Sequence, residues 1–379
     1  MHSQNKIRVL FTIPNFDTAG SGKALLNIAK GLDPKQFEAH IACLHDRGAF
    51  FQVVKESGIP IHVFPFVSPA RPIKSLLHSS WKASRQFKRI QPDIIHSFHY
   101  SADYTEPLAA KMAGIPWVFT KKNMSWGGPS KNAWKLRSFL ANWIAIQNTD
   151  MKKMFYPTSN KTMLIPRGVN TEMFAPQMPK PEIRLQMQTG NEKRIIICVA
   201  NMVPVKGIEL LIEAWEGLVS EFQDWVIWLV GDDQNEYSQS LKKLVKEKEL
   251  ESFIRFAGKQ QNVRSYLDHA EIFVLPTKNE GRREGSPVAL LEAMANGKVV
   301  IGSAVPGISD QLSSWSEYLF EPGSYTSLKE KLLQFISNSI DENNVLGCEL
   351  QEYANIKYLL KREINLHQQL YKITLRKYS

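Results

Sequence analysis

The sequence predicts an α/β protein of two doubly wound, Rossmann-like domains in series, facing each other across a cleft. Alternation is the first reason. Short β-rich runs and helical patterns take turns through both halves, as βαβ units on a parallel sheet require. Length is the second, because 379 residues suffice for two cores. The third is a stretch carrying Pro166, Pro176, Pro179 and Pro181, which reads as a linker. In the first half strands are expected at 7–13, 38–44, 60–65, 93–97, 116–120, 143–147 and 162–165, with helices at 22–32, 48–57, 75–90 and 103–113. The second half repeats the pattern, with strands at 194–200, 225–230, 253–257, 271–275, 298–302 and 317–320. Its helices are expected at 207–220, 237–249, 262–268 and 287–296. The domains are thus 1–168 and 169–354. A last helical stretch over 350–375 is expected to cross back, placing residues from about 355 to 379 on the first domain.

Composition narrows the class. Hydrophobic residues make up 43% and charged residues 22% of the chain, as in ordinary globular proteins. No apolar run approaches the roughly 20 residues needed to span a bilayer. No secretory leader is visible before the strand-like run that starts at Ile7, so a cytoplasmic location is expected. Cys43, Cys198 and Cys348 are few, odd in number and far apart, which suggests free thiols. Charge is unevenly placed. Through Gly168 there are 23 Lys and Arg against 9 Asp and Glu; beyond it there are 24 against 28, so +14 and −4 make up the net +10. A basic first half suggests an anionic partner. No nucleic-acid motif appears, so an anionic membrane surface or a lipid-linked phosphate is expected, and nucleic acid is not.

The most specific signal is Glu284-Gly-Ser-Pro-Val-Ala-Leu-Leu-Glu292, two carboxylates separated by seven residues at the mouth of an expected helix. The apolar run Ile272-Phe-Val-Leu-Pro276 leads into it through a polar loop. Ser286 reads as the N-cap, Pro287 as the first helical residue and Gly297 as the residue past the end. A strand, a loop and a helix N-terminus offer free N–H groups and a positive dipole end, which suit a phosphate. Glu284 lies in the loop beside whatever that end binds. Glu292 lies more than a turn inside, in line with Val288, Ala289 and Ala295, where a carboxylate needs hydrogen-bonding partners. Sugar hydroxyls would satisfy both acids. The alternative is a solvated loop glutamate and a surface helix glutamate.

The longer run Pro276-Thr-Lys-Asn-Glu-Gly-Arg-Arg-Glu-Gly-Ser-Pro-Val-Ala-Leu-Leu-Glu-Ala-Met-Ala295 resembles the donor-sugar signature of the retaining glycosyltransferases of family four. That resemblance implies the GT-B fold and a nucleotide-diphosphate sugar as donor, a UDP-sugar favoured, with no metal and no other cofactor. It extends over most of the chain. Leu164-Ile-Pro-Arg-Gly-Val-Asn170 and Phe174 look like the family's interdomain segment. The run from Val203 to Ala214 looks like its phosphate-binding loop and helix, which implies that Lys206 contacts the donor diphosphate; alone, Lys206 reads as a solvated loop lysine. Phe256-Ala-Gly-Lys259 resembles the loop against which the base packs, adding Gly258 and Lys259.

In the first half, Thr18-Ala-Gly-Ser-Gly22 follows the first strand, and Gly20 and Gly22 allow a ligand close to the backbone. Leu25 at the third glycine position excludes a dinucleotide fingerprint, and Ala24 excludes a P-loop. A plain strand-to-helix turn explains the segment equally, although it is also similar to the family's glycine-rich first loop. The run Gln91 to His99 is similar to a strand ending at the cleft, so His96 or His99 either touches the acceptor or is structural. Two departures stand out. Asn201 takes a place where the family often carries an arginine, leaving that charge to Arg282, Arg283 or Arg167. Lys121 and Lys122 stand where many members place a histidine.

On this reading Lys206, nearby arginines and the helix N-terminus stabilise the leaving phosphate. Glu292 holds the ribose hydroxyls and Glu284 the sugar hydroxyls, while the N–H groups of Gly285 to Val288 face sugar or phosphate. The resemblance implies retention of configuration, with Glu284, Lys206 and Lys122 at the reacting centre and His99 and Lys121 toward the acceptor. Asp232-Asp233 read as loop or capping residues. The acceptor is expected to be a glycan or lipid-linked molecule in cell-envelope polysaccharide synthesis. Two stretches, 71–90 and 129–143, interleave basic and aromatic residues; each either lies on an anionic bilayer or packs its apolar side on the core. A catalytically silent sugar-nucleotide-binding protein would bind the donor without turnover. An epimerase of related fold would explain the paired glutamates less well.

Overall fold

The computed structural model describes residues 6–17, 19–48, 50–126, 131–281, 283 and 285–377. The chain forms two compact units, one of residues up to Pro166 together with those from Lys361 onward, the other of Arg167–Leu360.

The first unit holds β1 (Ile7–Thr12), β2 (Phe37–Cys43), β3 (Ile61–Val63), β4 (Ile94–Ser97), β5 (Trp117–Lys121), β6 (Trp143–Ile146) and β7 (Thr162–Leu164). They form one parallel sheet in the order β3-β2-β1-β4-β5-β6-β7. The second unit holds β8 (Arg194–Val199), β9 (Trp225–Val230), β10 (Ile254–Gly258), β11 (Ile272–Leu275), β12 (Val299–Ser303) and β13 (Leu319–Phe320). Their order, again parallel, is β10-β9-β8-β11-β12-β13. Central strands such as Trp225-Val-Ile-Trp-Leu-Val230 are buried throughout, because helices cover both faces and no side of the strand can be polar. In each sheet the winding reverses beside the first strand, between β1 and β4 and between β8 and β11. Such a reversal opens a crevice outside the carboxyl ends of the strands, where open α/β sheets bind ligands.

Several elements differ from expectation. The single helical stretch over 350–375 is two helices, Ile340–Lys357 and Leu360–Arg376. The break falls where Val169 N–H donates to Tyr358 O (2.8 Å) and Leu360 N–H to Val169 O (2.9 Å). That crossing is close, since a Cβ on Gly168 would stand 2.6 Å from Leu360 Cα. The helix Leu360–Arg376 joins the first unit's core, with Tyr371 edge-on to Phe11 and Phe37. Helices Thr149–Phe155 and Tyr325–Ile336 go beyond the expected set, although Asn148 and Ser324 cap them as their residue types allow. The three cysteines are free thiols, Cys43 and Cys198 buried and Cys348 exposed. Among the described residues no helix is long and apolar enough to cross a membrane.

The helix Ile340–Lys357 presses on the end of the helix Val288–Ala295: Gln351 Nε2 donates to Ala295 O (2.8 Å), and a Cβ on Gly347 would overlap Gly297 O. Gly347→Ala is therefore expected to lower stability by about 2 kcal/mol through forced separation of two backbones. Urea unfolding, read against a Cys348→Ala control on the exposed side of the same helix, checks this.

Candidate functional site

At the carboxyl edge of the second sheet, β8 continues into the loop Asn201 to Val203 and the 3₁₀ turn Pro204–Lys206. Asn201 is exposed and its carbonyl accepts from Val203 N–H, whereas Lys206 is buried. Gly207 follows with φ 62°, a left-handed conformation, and a Cβ there would overlap Pro276 O of the loop after β11. Lys278 N–H donates to Val205 O (2.9 Å), so the two loops on either side of the winding reversal are joined backbone to backbone. Lys278 also pairs with Glu209 (2.8 Å) and Glu280 (2.9 Å). Burial pulls its pKa down, but those two carboxylates outweigh it and leave the lysine raised. Glu209 in turn accepts from the Tyr237 hydroxyl.

The signature run then enters the helix Val288–Ala295, with Glu292 half-buried on it. Helix start is one residue later than expected. Pro287, not Ser286, occupies the N-cap position and no side chain caps it, because the Ser286 hydroxyl is engaged by Gln311 (2.9 Å). Gly297 follows the helix at φ 69°, as expected. Arg282 and Glu284 lie outside the described residues. Arg283 folds back on Asn279 within its own loop, and Arg167 is buried. Farther along the edge, Gly258 closes β10 at φ 68°, and its carbonyl accepts from Gly231 N–H (3.1 Å), while Lys259 is exposed. Asp233 pairs with Lys242 (2.7 Å), which holds its carboxyl below the usual range, and Asp232 caps the backbone of Gln234. Both aspartates are loop residues. Among the described residues no three His, Cys, Asp or Glu side chains gather as metal ligands.

In the first unit, the strand-edge residues meet around Lys122. Its ammonium donates to Ser21 Oγ (3.0 Å) and Phe98 O (2.5 Å), tying the end of β5 to the helix Ala19–Gly31 and to the segment after β4. Gly20 is exposed with open space around its Cα. Gly22 is glycine for packing, since a Cβ would stand 2.9 Å from the Phe16 ring. His99 is buried and its Nδ1 has no hydrogen-bond partner among the described residues. Burial first, then Arg137 and Lys122, push its pKa well below the usual value, so the ring is neutral. His96 is structural: Nδ1 pairs with Tyr371 Oη (2.7 Å) and Nε2 with Thr120 Oγ1 (2.8 Å), wholly inside the core. Beneath them Glu106 and Arg137, both fully buried, lie 3.6 Å apart. Glu106 accepts from Thr12 and Ser97, and Arg137 donates to Asp103 O and His99 O.

One expectation is corrected here. Lys121 does not face an acceptor. Its side chain is fully buried, with Nζ 3.9 Å from the Phe155 ring centre, 5.1 Å from Trp126, 5.6 Å from Tyr100 and 5.7 Å from Trp134, donating to Ser125 O (2.7 Å). Of the two readings of 129–143, core packing holds for Trp134 and Arg137 of the helix Lys131–Leu140, which point inward, while Lys131, Lys135 and Phe139 are exposed.

Two doubly wound parallel sheets with these loops at their winding reversals define an α/β class that binds ligands at the strand ends, and comparison with known proteins bears on the family. A model of glycosyl transferases group 1 matches residues 179–349, and one of glycosyltransferase family 4 matches residues 18–173. An uncharacterised glycosyltransferase of Haemophilus influenzae is 23% identical, covering 87% of this chain and 91% of that protein. The N,N'-diacetylbacillosaminyl-diphospho-undecaprenol alpha-1,3-N-acetylgalactosaminyltransferase of Campylobacter jejuni is 23% identical over 76% of this chain and 78% of that one. Anabaena HepE, solved with UDP and glucose, superposes with a TM-score of 0.79 at 18% identity, over 97% of this chain and 99% of that chain. The chain belongs to the group 1 glycosyltransferases, on the GT-B fold.

The Lys121 cage makes a measurable prediction. Burial pushes that amine from 10.5 down to about 7. Between those values the unfolded chain binds the proton and the folded one does not, so stability rises with pH across the window and the cost is fully present below it. Lys121→Met is expected to exceed the parent in stability at pH 6 by about 2 kcal/mol, with the gap closing by about pH 10. Urea unfolding at both pH values checks the sign; a gap that ignores pH would exclude the amine as its source.

Proposed function

We propose that this glycosyltransferase retains anomeric configuration and moves a sugar from a nucleotide-diphosphate donor, a UDP-sugar by preference, to a glycan or lipid-linked acceptor without a metal. The observation that carries the reading is the junction of the Lys206 loop with the loop leading to Glu292, on the two sides of the winding reversal in the second sheet. A diphosphate there would meet the Lys206 ammonium and the N–H groups of Gly285, Ser286 and Val288, a positive field for a departing phosphate. Glu292, four residues into its helix, is placed for ribose hydroxyls, and charge-assisted bonds to them are strong. Glu284 takes the sugar hydroxyls in this scheme. The leaving phosphate assists the acceptor's loss of its proton. HepE was solved with UDP and glucose, which favours a uridine donor, and the Campylobacter relative's name carries a diphospho-undecaprenol, which favours a lipid-linked acceptor. Its product would then be a repeat unit of an envelope polysaccharide.

The test is thermal stabilisation by a panel of UDP-, GDP-, ADP- and CMP-sugars, since ligands that bind the folded state raise its melting point by mass action. One donor class is expected to respond, with Glu292→Ala weakening its affinity about tenfold or more. Nucleotide release from that donor should be unaffected by EDTA; loss of release that magnesium restores would overturn metal independence. No response from any donor would sink the reading.

A membrane location is part of the proposal. On the helix Ile73–Ile90, Ile73, Leu77 and Trp81 are exposed along one line, flanked by Lys74, Lys82, Arg85, Lys88 and Arg89, with no acidic residue between Glu56 and Asp93. Such a face suits an anionic interface at about 1 kcal/mol per basic residue. Flotation is expected with phosphatidylglycerol-rich vesicles and not with neutral ones, and Leu77→Glu/Trp81→Glu should abolish it. Equal recovery with both lipids would remove the electrostatic argument.

A further inference from the structure

The turn that opens the helix Val288–Ala295 is held by a residue far outside the signature run. Gln311 ends the short helix Ile308–Gln311 after β12 and is 1% exposed. Its Nε2 donates to Ser286 Oγ (2.9 Å) and to Pro287 O (3.1 Å). A carbonyl only accepts, so the atom facing Pro287 O is the amide nitrogen, and both of its hydrogens are engaged. Gln311 Oε1, on the other side, is buried with no partner among the described residues. An orphaned buried carbonyl is unfavourable, so the orientation is imposed by the turn. Gly307 braces the same turn: at φ 88°, a Cβ on it would stand 2.5 Å from Gly285 O.

The consequence lies at Ser286. Its oxygen accepts from Gln311, which leaves the hydroxyl hydrogen to be given elsewhere. We propose that Gln311 is a positioning residue for the donor phosphate, fixing the Gly285–Pro287 turn and leaving the Ser286 hydroxyl as a hydrogen-bond donor to an anionic phosphate oxygen. This rests on the reading of that turn as part of the donor site. Serine at 286 thereby becomes a direct ligand, and its orientation is set by a side chain on the neighbouring strand's loop.

Calorimetric binding of UDP, GDP and ADP to the full chain tests it, with thermal unfolding of each variant as the folding check. For the tightest of the three, Ser286→Ala and Gln311→Met are each expected to weaken Kd about tenfold, and the double variant no further than either. Gln311→Glu keeps the shape but replaces the donor nitrogen with a carboxylate that draws the Ser286 hydrogen inward. Its binding, relative to the parent at the same pH, is expected to fall at pH 8 and recover at pH 5, where the introduced carboxyl is protonated; a purely structural role would give no such recovery. Parent-like binding by Ser286→Ala, or additive losses in the double variant, overturns the proposal. Glu292→Ala separates the two levels. If it binds like the parent, or the parent binds none of the three, the site reading falls and this proposal with it. If Glu292→Ala loses affinity and Ser286→Ala does not, only this proposal falls. Should Gln311→Met not fold, Ser286→Ala and Gln311→Glu decide.

Discussion

Neighbouring strands in a parallel sheet are under 5 Å apart, so the loops that leave them must pass each other with their backbones almost in contact. In the second unit this constraint is met by glycine on both sides of the loop after β11. Gly207 lets the turn after β8 lie on Pro276, and Gly307 lets the turn after β12 lie on Gly285. The loop after β11 is therefore gripped from both sides, and the position of the helix it feeds follows from the strand order. A side chain at either glycine would push apart the segments on which Lys206, Ser286 and Glu292 ride. The backbone bond from Lys278 to Val205 fixes the register of one of these contacts, and the Gln311 carboxamide fixes the other.

Charge is arranged differently at the two sheet edges. In the second unit Lys278 is neutralised by Glu209 and Glu280, and Asp233 by Lys242, so the loops around Lys206 are locally balanced before any anion arrives. Paired charges of this kind contribute little net field at the groups beside them. In the first unit the polar groups under the sheet edge are largely committed to each other. Glu106, Arg137, Thr12 and Ser97 form a connected buried set, which is costly to break and rigid once made. Lys122 and the neutral His99 sit at the margin of that set.

Strands are the most legible part of the sequence. Burial on both faces leaves no choice but continuous apolar runs, and Arg194-Ile-Ile-Ile-Cys-Val199 reads as a strand from its residue types alone. The paired glutamates are legible because their signature is local and carries its own loop and helix start. What escapes depends on contacts between distant residues. Nothing around Lys121 announces burial, since its cage comes from Tyr100, Trp126, Trp134 and Phe155. Trp134 and Arg137 look like surface residues of a basic helix until the sheet that receives them is in place. Ser286 has every local property of a cap, yet Gln311, twenty-five residues on, takes its oxygen. The Pro306-Gly307 pair is a turn signal in plain view, but its backbone contact with Gly285 is tertiary. The division of the last helical stretch at Tyr358 and Leu359 likewise follows from the bridge to Val169.

The return of the helix Leu360–Arg376 to the first unit means that the second unit is spliced into the first. A ribosome would release all the strands of the first sheet, then the whole of the second unit, before the residues that pack over His96 and Phe11 emerge. Vectorial synthesis thus completes the inner unit first and leaves the outer one waiting with an uncovered apolar face and a histidine lacking its Tyr371 partner. Nascent chains of this protein pass through an interval in which the second unit is finished and the first is not, and that interval is when a chaperone would find something to hold.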